Sequence, residues 1–182
     1  MSSVSTLINA TTSNSPAPVP SCLAQSDLIL NPGFEAGASV WLANPANLIT
    51  NSTRFSPASG NWYALLGGTG RRANFSLSQG VTLPVNACSA SLGFDLMIIT
   101  TETTKRSRYD TLTVRILDPI TNRVLGTSRS YSNLDASSGY GKVKLDLTAY
   151  RGKTIRIEFL GQEDQGNSTS FLIDNVSLAI AQ

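Results

Sequence analysis

The feature that most constrains this chain is the alternation of apolar and polar residues in short runs cut by turn residues. From Tyr109 to Leu117, Leu112, Val114 and Ile116 alternate with Thr111, Thr113 and Arg115. From Ser91 to Thr100, Leu92, Phe94, Leu96 and Ile98 share one face while Asp95 and Met97 share the other. Period two puts successive side chains on opposite faces of a strand. Phe75 and Leu77, Val143 to Leu147, and Ile155 to Phe159 repeat the pattern. No window holds apolar residues at i, i+3, i+4 and i+7 for three turns, so no helix is expected. Turn signals such as Gly67-Gly68, Asp118-Pro119 and Gly152 fall about every 8–12 residues, the spacing of an all-β sandwich. The expected fold is all-β, an antiparallel two-sheet sandwich of about nine or ten strands.

Two stretches frame it. Leu28-Ile29-Leu30 reads as an opening apolar strand cut by Asn31-Pro32-Gly33, with Phe34 and Glu35 following the turn. The closing strand runs from Ser170 to Ile180 and breaks its own alternation. Phe171 and Ile173 share one face; Val176, Leu178 and Ile180 share the other. Both sets want the core, and one extra residue near Asp174-Asn175 reconciles them, which is a β-bulge. Bulges re-aim side chains, so Asp174 is a candidate site residue on this ground alone.

Composition narrows the class. Charged residues make up 14% of the 182 residues and apolar ones 41%, against about 25% charged in an average globular chain. Short neutral polar residues fill the difference, as suits an extracellular β protein. A net charge of +2 argues neither for nucleic acid nor for an anionic membrane. Arg71-Arg72 and Lys105-Arg106-Ser107-Arg108 read as solvated loop charge. No apolar run reaches the length of about 20 residues that a membrane span needs. The sequence has no histidine, which removes the usual general base and the Ser-His and Cys-His dyads. With no nucleophile-base signature in view, the chain is not expected to be an enzyme. Cys22 and Cys88 have no metal spacing and read as one disulfide; the alternative is two free thiols, one of them buried.

Residues 1–21 read as an extended tail rich in Ser, Thr and Pro, ahead of a domain spanning residues 22–182. Within the tail, Val4, Leu7 and Ile8 form a short β-prone patch. Such a patch can complete a neighbour's sheet edge, and this is one functional reading: a structural subunit of an extracellular filament or surface assembly, self-associating through a donated strand.

Asn31-Pro-Gly-Phe-Glu35, Trp41, Ser59-Gly60-Asn-Trp-Tyr-Ala64 and Phe171-Leu-Ile-Asp174-Asn-Val-Ser-Leu178 together resemble the jelly-roll carbohydrate-binding modules, the galactose-binding-like sandwiches attached to polysaccharidases. Tyr109-Asp-Thr-Leu-Thr-Val114 and Gly161-Gln-Glu-Asp164 are more closely similar to C-terminal accessory domains of secreted bacterial peptidases. The resemblance covers residues 28–180. It implies a jelly roll with one structural calcium, held by the carboxylates of Glu35 and Asp174 and by oxygens near Asn31 and the Ser59-Gly60 turn. Calcium accepts six to eight oxygens in irregular geometry. The alternative is that Glu35 caps its turn and Asp174 bonds backbone at the bulge. Glu163 and Asp164 are a second acidic pair, read as solvated loop charge.

The resemblance also implies sugar binding by stacked aromatic rings. Trp41 matches a core tryptophan and is assigned to packing. Trp62, Tyr63, Tyr109 and Tyr131 are the candidate platform, with polysaccharide or cell-surface glycan as the partner. The first functional reading is thus a non-catalytic extracellular binding or adhesion module.

Overall fold

The computed structural model describes Cys22 and residues 25–182. Residues 1–21, with Val4, Leu7 and Ile8, lie outside them. The alternating runs become eleven strands among the described residues: β1 Gln25–Asp27, β2 Leu42–Asn44, β3 Ile49–Thr50, β4 Tyr63–Gly67, β5 Ala73–Thr82, β6 Ser89–Thr100, β7 Thr111–Leu117, β8 Val124–Ser132, β9 Gly141–Asp146, β10 Thr154–Glu163 and β11 Thr169–Ala181. Helix is limited to two single 3₁₀ turns, Asn133–Asp135 and Thr148–Tyr150.

The strands form two antiparallel sheets. Sheet one runs β3-β4-β11-β6-β9, with β1 also on β11; sheet two runs β2-β5-β10-β7-β8. Their inner faces meet in one core that includes Leu66, Leu92, Phe94, Val114, Ile157, Phe159, Phe171 and Leu178. Phe94 and Phe159 cross that interface edge to face, centroids 5.1 Å apart. This is the all-β sandwich that the alternation demands, because each sheet buries one apolar face against the other.

The opening strand sits three residues earlier than its apolar run suggests. β1 ends at Asp27, whose Oδ1 accepts the N–H groups of Ile29 (2.9 Å) and Leu178 (2.8 Å). Leu28 N–H still donates to the Leu178 carbonyl (3.1 Å), and the chain leaves the sheet after it. β10 continues to Glu163, so that residue ends a strand and does not sit in a loop. The disulfide is present between Cys22 and Cys88, 66 residues apart. Closing a loop of that length removes about 4 kcal/mol of chain entropy from the unfolded state.

The bulge falls where the broken alternation puts it. The β11–β6 register shifts between Asp174 and Ser177, and Asn175 has φ +50°, a conformation Asn tolerates better than most residues. Ile173 and Val176 are consequently both fully buried.

The outer face of sheet one is covered as well. The segment 51–59 crosses it: the Tyr63 hydroxyl on β4 donates to the Ser52 carbonyl (3.0 Å), and the Tyr140 hydroxyl beside β9 donates to the Ser56 carbonyl (3.2 Å). Leu172, on the face opposite Phe171 and Ile173, is therefore fully buried. Tyr63 is fully buried for the same reason. This corrects the expectation that it belongs to a ligand platform.

Candidate functional site

The opening turn and the bulge are joined directly. Val176 N–H at the bulge donates to the Pro32 carbonyl (2.9 Å). Phe34 takes a left-handed φ of +61°, which costs a non-glycine residue of the order of 1 kcal/mol or more. Complete burial of its ring, 5.2 Å from that of Trp41, offsets this. Trp41 is buried and donates Nε1–H to the Asn31 carbonyl (3.1 Å), so its packing role is as expected.

With the turn held, Glu35 and Asp174 reach one short segment. Glu35 Oε1 accepts the N–H groups of Asn61 (2.9 Å) and Trp62 (3.0 Å). Asp174 is fully buried; its Oδ2 accepts Ser59 N–H (3.0 Å) and its Oδ1 accepts Asn175 N–H (2.7 Å). Ser59 Oγ donates to Asn175 Oδ1 (2.7 Å). Gly60, at φ +61°, lies so close that a Cβ there would sit 2.2 Å from Glu35 Oε1; only glycine suits both the conformation and the approach. The Cβ position of Gly33 has Asp174 Oδ1, Asn175 Oδ1 and Glu35 Cγ within 4 Å. The Asp174 carboxylate and the Asn175 amide oxygen, with the Glu35 Cγ beside them, thus approach the glycine of the opening turn.

Asn31 does not join them. Its Oδ1 accepts Ala36 N–H, its Nδ2 donates to the Gly37 carbonyl, and its own carbonyl takes Phe34 N–H and Trp41 Nε1–H. Its oxygens are committed within the opening loop. This corrects its assignment to the metal set.

The electrostatics of this clasp favour a cation. Burial raises the Asp174 carboxyl above the usual range, the N–H bonds from Ser59, Asn175 and Ala58 pull it back, and the charge of Asp95 raises it further. Asp95 faces Asp174 across the β6–β11 ladder and is itself bonded by Asn175 Nδ2 (2.8 Å) and Lys142 Nζ (3.4 Å). Burial, then the charges of Asp174, Tyr63 and Asp95, push the Tyr140 hydroxyl far upward. The two oxygens near the Gly33 position, Asp174 Oδ1 and Asn175 Oδ1, suit a hard divalent ion of the calcium kind. Among the described residues no three His, Cys, Asp or Glu side chains gather as a metal-holding group, so a cation here would draw the rest of its shell from neutral oxygens.

The remaining candidates separate. Trp62 is half-buried and packs on the core. Tyr109 is 49% exposed, its N–H held by Asn133 Oδ1 (2.9 Å). Tyr131 pairs with Leu112, a core residue, so its ring takes the inner side of β8 at the open flank of the sandwich. There it borders a groove of about 530 Å³ between β8 and β9, lined among others by Arg129, Tyr131, Asp135, Tyr140, Lys142 and Val143. The Arg129 guanidinium stands over the Tyr131 ring, 5.6 Å from its centroid. The sequence shows each of these residues but not the groove, because β8 and β9 belong to different sheets. A shallower depression of about 270 Å³ on the outer face of sheet two is polar, lined by Asn44, Ser76, Ser78, Arg156 and Glu158 with Leu42; Glu158 there accepts from Ser76 Oγ (2.8 Å) and Arg115 Nε (2.8 Å).

Sequence reasoning missed Glu163. It is buried and accepts Thr69 N–H (3.0 Å), Thr69 Oγ1–H (2.5 Å) and Gly70 N–H (2.9 Å), which corrects its reading as solvated charge. The signal was the run Gly67-Gly68-Thr69-Gly70, a turn whose N–H groups need an acceptor.

No known protein-family model matches the chain, and no curated protein sequence is detectably similar. Solved structures do share its architecture. A family 61 carbohydrate-binding module solved with β-1,4-galactotriose superposes with TM-score 0.59 at 17% identity, over 84% of this chain and 97% of that one. The K3 adhesin domain of Lys-gingipain from Porphyromonas gingivalis gives 0.59 at 12% identity, over 86% and 99%. A Stig cyclase from a Fischerella species gives 0.53 at 12% identity, over 86% and 98%. The chain shares the β-sandwich fold of these structures. The cyclase shows that this fold serves catalysts too, so function rests on the site.

Proposed function

We propose that this chain is a non-catalytic module of an extracellular protein that binds a polysaccharide or cell-surface glycan in the β8–β9 flank groove. The observation that carries the reading is the groove itself. It is the larger of the two depressions described, and it combines two tyrosines with charged groups and serine hydroxyls, the mixture that sugar rings require. The module neighbours and the disulfide support an extracellular binding role, since disulfides persist in oxidising compartments. The described residues contain no helix long and apolar enough to cross a membrane. Assembly through a donated N-terminal strand finds no support in these observations and is not taken further.

Titration against a panel of galactans, xylans, glucans and host glycans tests the proposal. Binding by at least one class is expected, and Tyr131→Ala should weaken it about tenfold or more, roughly 1.4 kcal/mol. No binding across the panel, or binding that Tyr131→Ala leaves unchanged, overturns the assignment.

The Glu35–Asp174 clasp is assigned a structural role in the same reading, with calcium as its ion. Glu35, Asp174 and Asn175 are the side chains that would hold it, and Ser59 and Gly60 supply the turn beneath. The ion would neutralise two converging carboxylates and fix the last strand to the opening turn. Calcium addition should raise the melting temperature of chelator-treated protein by several degrees; an unchanged melt removes the ion from the clasp.

A further inference from the structure

Asp110 immediately precedes β7 and is fully buried. Its Oδ1 accepts the N–H of Asp164 (3.0 Å). Its Oδ2 is equally buried and has no hydrogen-bond partner among the described residues. Burial is the chief reason its carboxyl is raised; the Thr169 hydroxyl and Asp164 N–H oppose that, and the charges of Glu163 and Asp164 add to it. Glu163 is therefore close enough to repel it, and Glu163 is 4% exposed.

This pair has no counter-charge. The bonds from Thr69 and Gly70 fix Glu163 but bring no cation. The ion pairs among the described residues, Arg115–Glu158 and Lys142–Asp95, engage other carboxylates. Withdrawing each carboxylate from water costs several kcal/mol, and mutual repulsion adds to it. The oxygens gathered here are those of two carboxylates and the buried Thr169 hydroxyl, itself bonded to Thr100 Oγ1 (2.8 Å). A hard divalent cation satisfies such a set, completing its shell with main-chain oxygens and water. An orphaned, buried acceptor beside a second buried carboxylate is what such a site looks like.

We propose that Asp110 and Glu163 hold a calcium-class divalent cation at the β4–β5 turn, a site separate from the Glu35–Asp174 clasp and independent of it. The ion bridges the start of β7 to the end of β10 and, through Glu163, to the Thr69-Gly70 turn.

Calcium titration of chelator-stripped protein by calorimetry, with terbium luminescence as a second probe, tests this on wild type, Asp110→Asn and Asp174→Asn. Asp110→Asn should remove one equivalent, and Asp174→Asn should leave that equivalent in place. Wild-type stoichiometry of one, lost in Asp110→Asn and kept in Asp174→Asn, upholds this site while removing the clasp's. Asp110→Asn is near-isosteric, and in chelator it should melt at or above wild type, because it deletes an uncompensated charge. In calcium it should lack the share of the melting-temperature rise that belongs to this site, roughly 5 °C. Glu163→Gln should repeat the loss of the equivalent with an unchanged far-ultraviolet spectrum. Retention of full stoichiometry in Asp110→Asn overturns the proposal, as does a fall in melting temperature that is equal with and without calcium.

Discussion

The two ends of β4 are built alike and satisfied differently. At its start, Glu35 accepts the N–H groups that follow Gly60, with the buried Asp174 beside it. At its end, Glu163 accepts those of Thr69 and Gly70, with the buried Asp110 beside it. Each end pairs a glycine turn with one glutamate and one aspartate from distant parts of the chain. Yet Asp174 collects N–H bonds on both oxygens, whereas Asp110 has one bonded oxygen and one orphan. The bulge makes the difference. It turns the Asn175 N–H back onto Asp174 and brings the 58–59 backbone within reach. Asp110 sits at an unbulged strand start where only Asp164 offers an N–H. Burial alone therefore does not tell the two carboxylates apart; the count of hydrogen-bond donors on each does.

The strongest way to break this comparison is Asp174→Ala. In chelator, where no metal contributes, it strips acceptors from the Ser59 and Asn175 N–H groups and leaves a void at the bulge. A loss of about 3 kcal/mol is expected by urea unfolding; a loss under about 1 kcal/mol would show that the clasp is held by something other than this side chain. Truncating the two glutamates sharpens it. Glu163→Ala removes a buried acceptor from the partly buried Thr69 and Gly70 N–H groups and should cost about 2 kcal/mol, while Glu35→Ala, at an exposed turn that water can reach, should cost about 1 kcal/mol. Equal costs would show that the two turns are equivalent after all.

The smallest effect is in the pH profile. The carboxyls of Asp110 and Asp174 are both raised in the folded protein. A raised folded value means that the folded state holds the proton more tightly than the unfolded one. The stabilisation from these groups is fully present below the unfolded value near 3.8 and is lost as pH rises through the folded values. Metal-free protein should thus gain stability on this account as pH falls from neutrality. Asp110→Asn should flatten that slope, measured by thermal melts between pH 4 and 7. A slope unchanged in Asp110→Asn would mean that Asp110 keeps its charge in the absence of metal. The raised values also set proton against metal: calcium needs the carboxylate form, so its binding should weaken as pH falls.

Much of this architecture was legible residue by residue. Leu112, Val114 and Ile116 placed β7 and its faces, because period two is a property of the strand itself. The mismatch of Ile173 and Val176 revealed the bulge, because two apolar runs out of phase have few ways to share one core. Cys22 and Cys88 were readable as a disulfide from their number and setting. Tyr63 was not legible. Its alternation allowed either face, and the decision came from segment 51–59, which covers the outer side of sheet one and buries both sides of β4. The β8–β9 groove was equally hidden, since Tyr131 and Tyr140 border one depression only because the edges of two sheets face each other.

The sequence alone therefore determined the strands, their inner faces and the break in the last one, all of which depend on spacing within a few residues. The tertiary structure decided which carboxylates meet. Asp110 and Asp164 are 54 residues apart in the chain, and Asp174 and Ser59 are 115 apart; no local periodicity connects them. Closure of the sandwich brings them together, and the donors found there make one aspartate a fastening and leave the other an open acceptor.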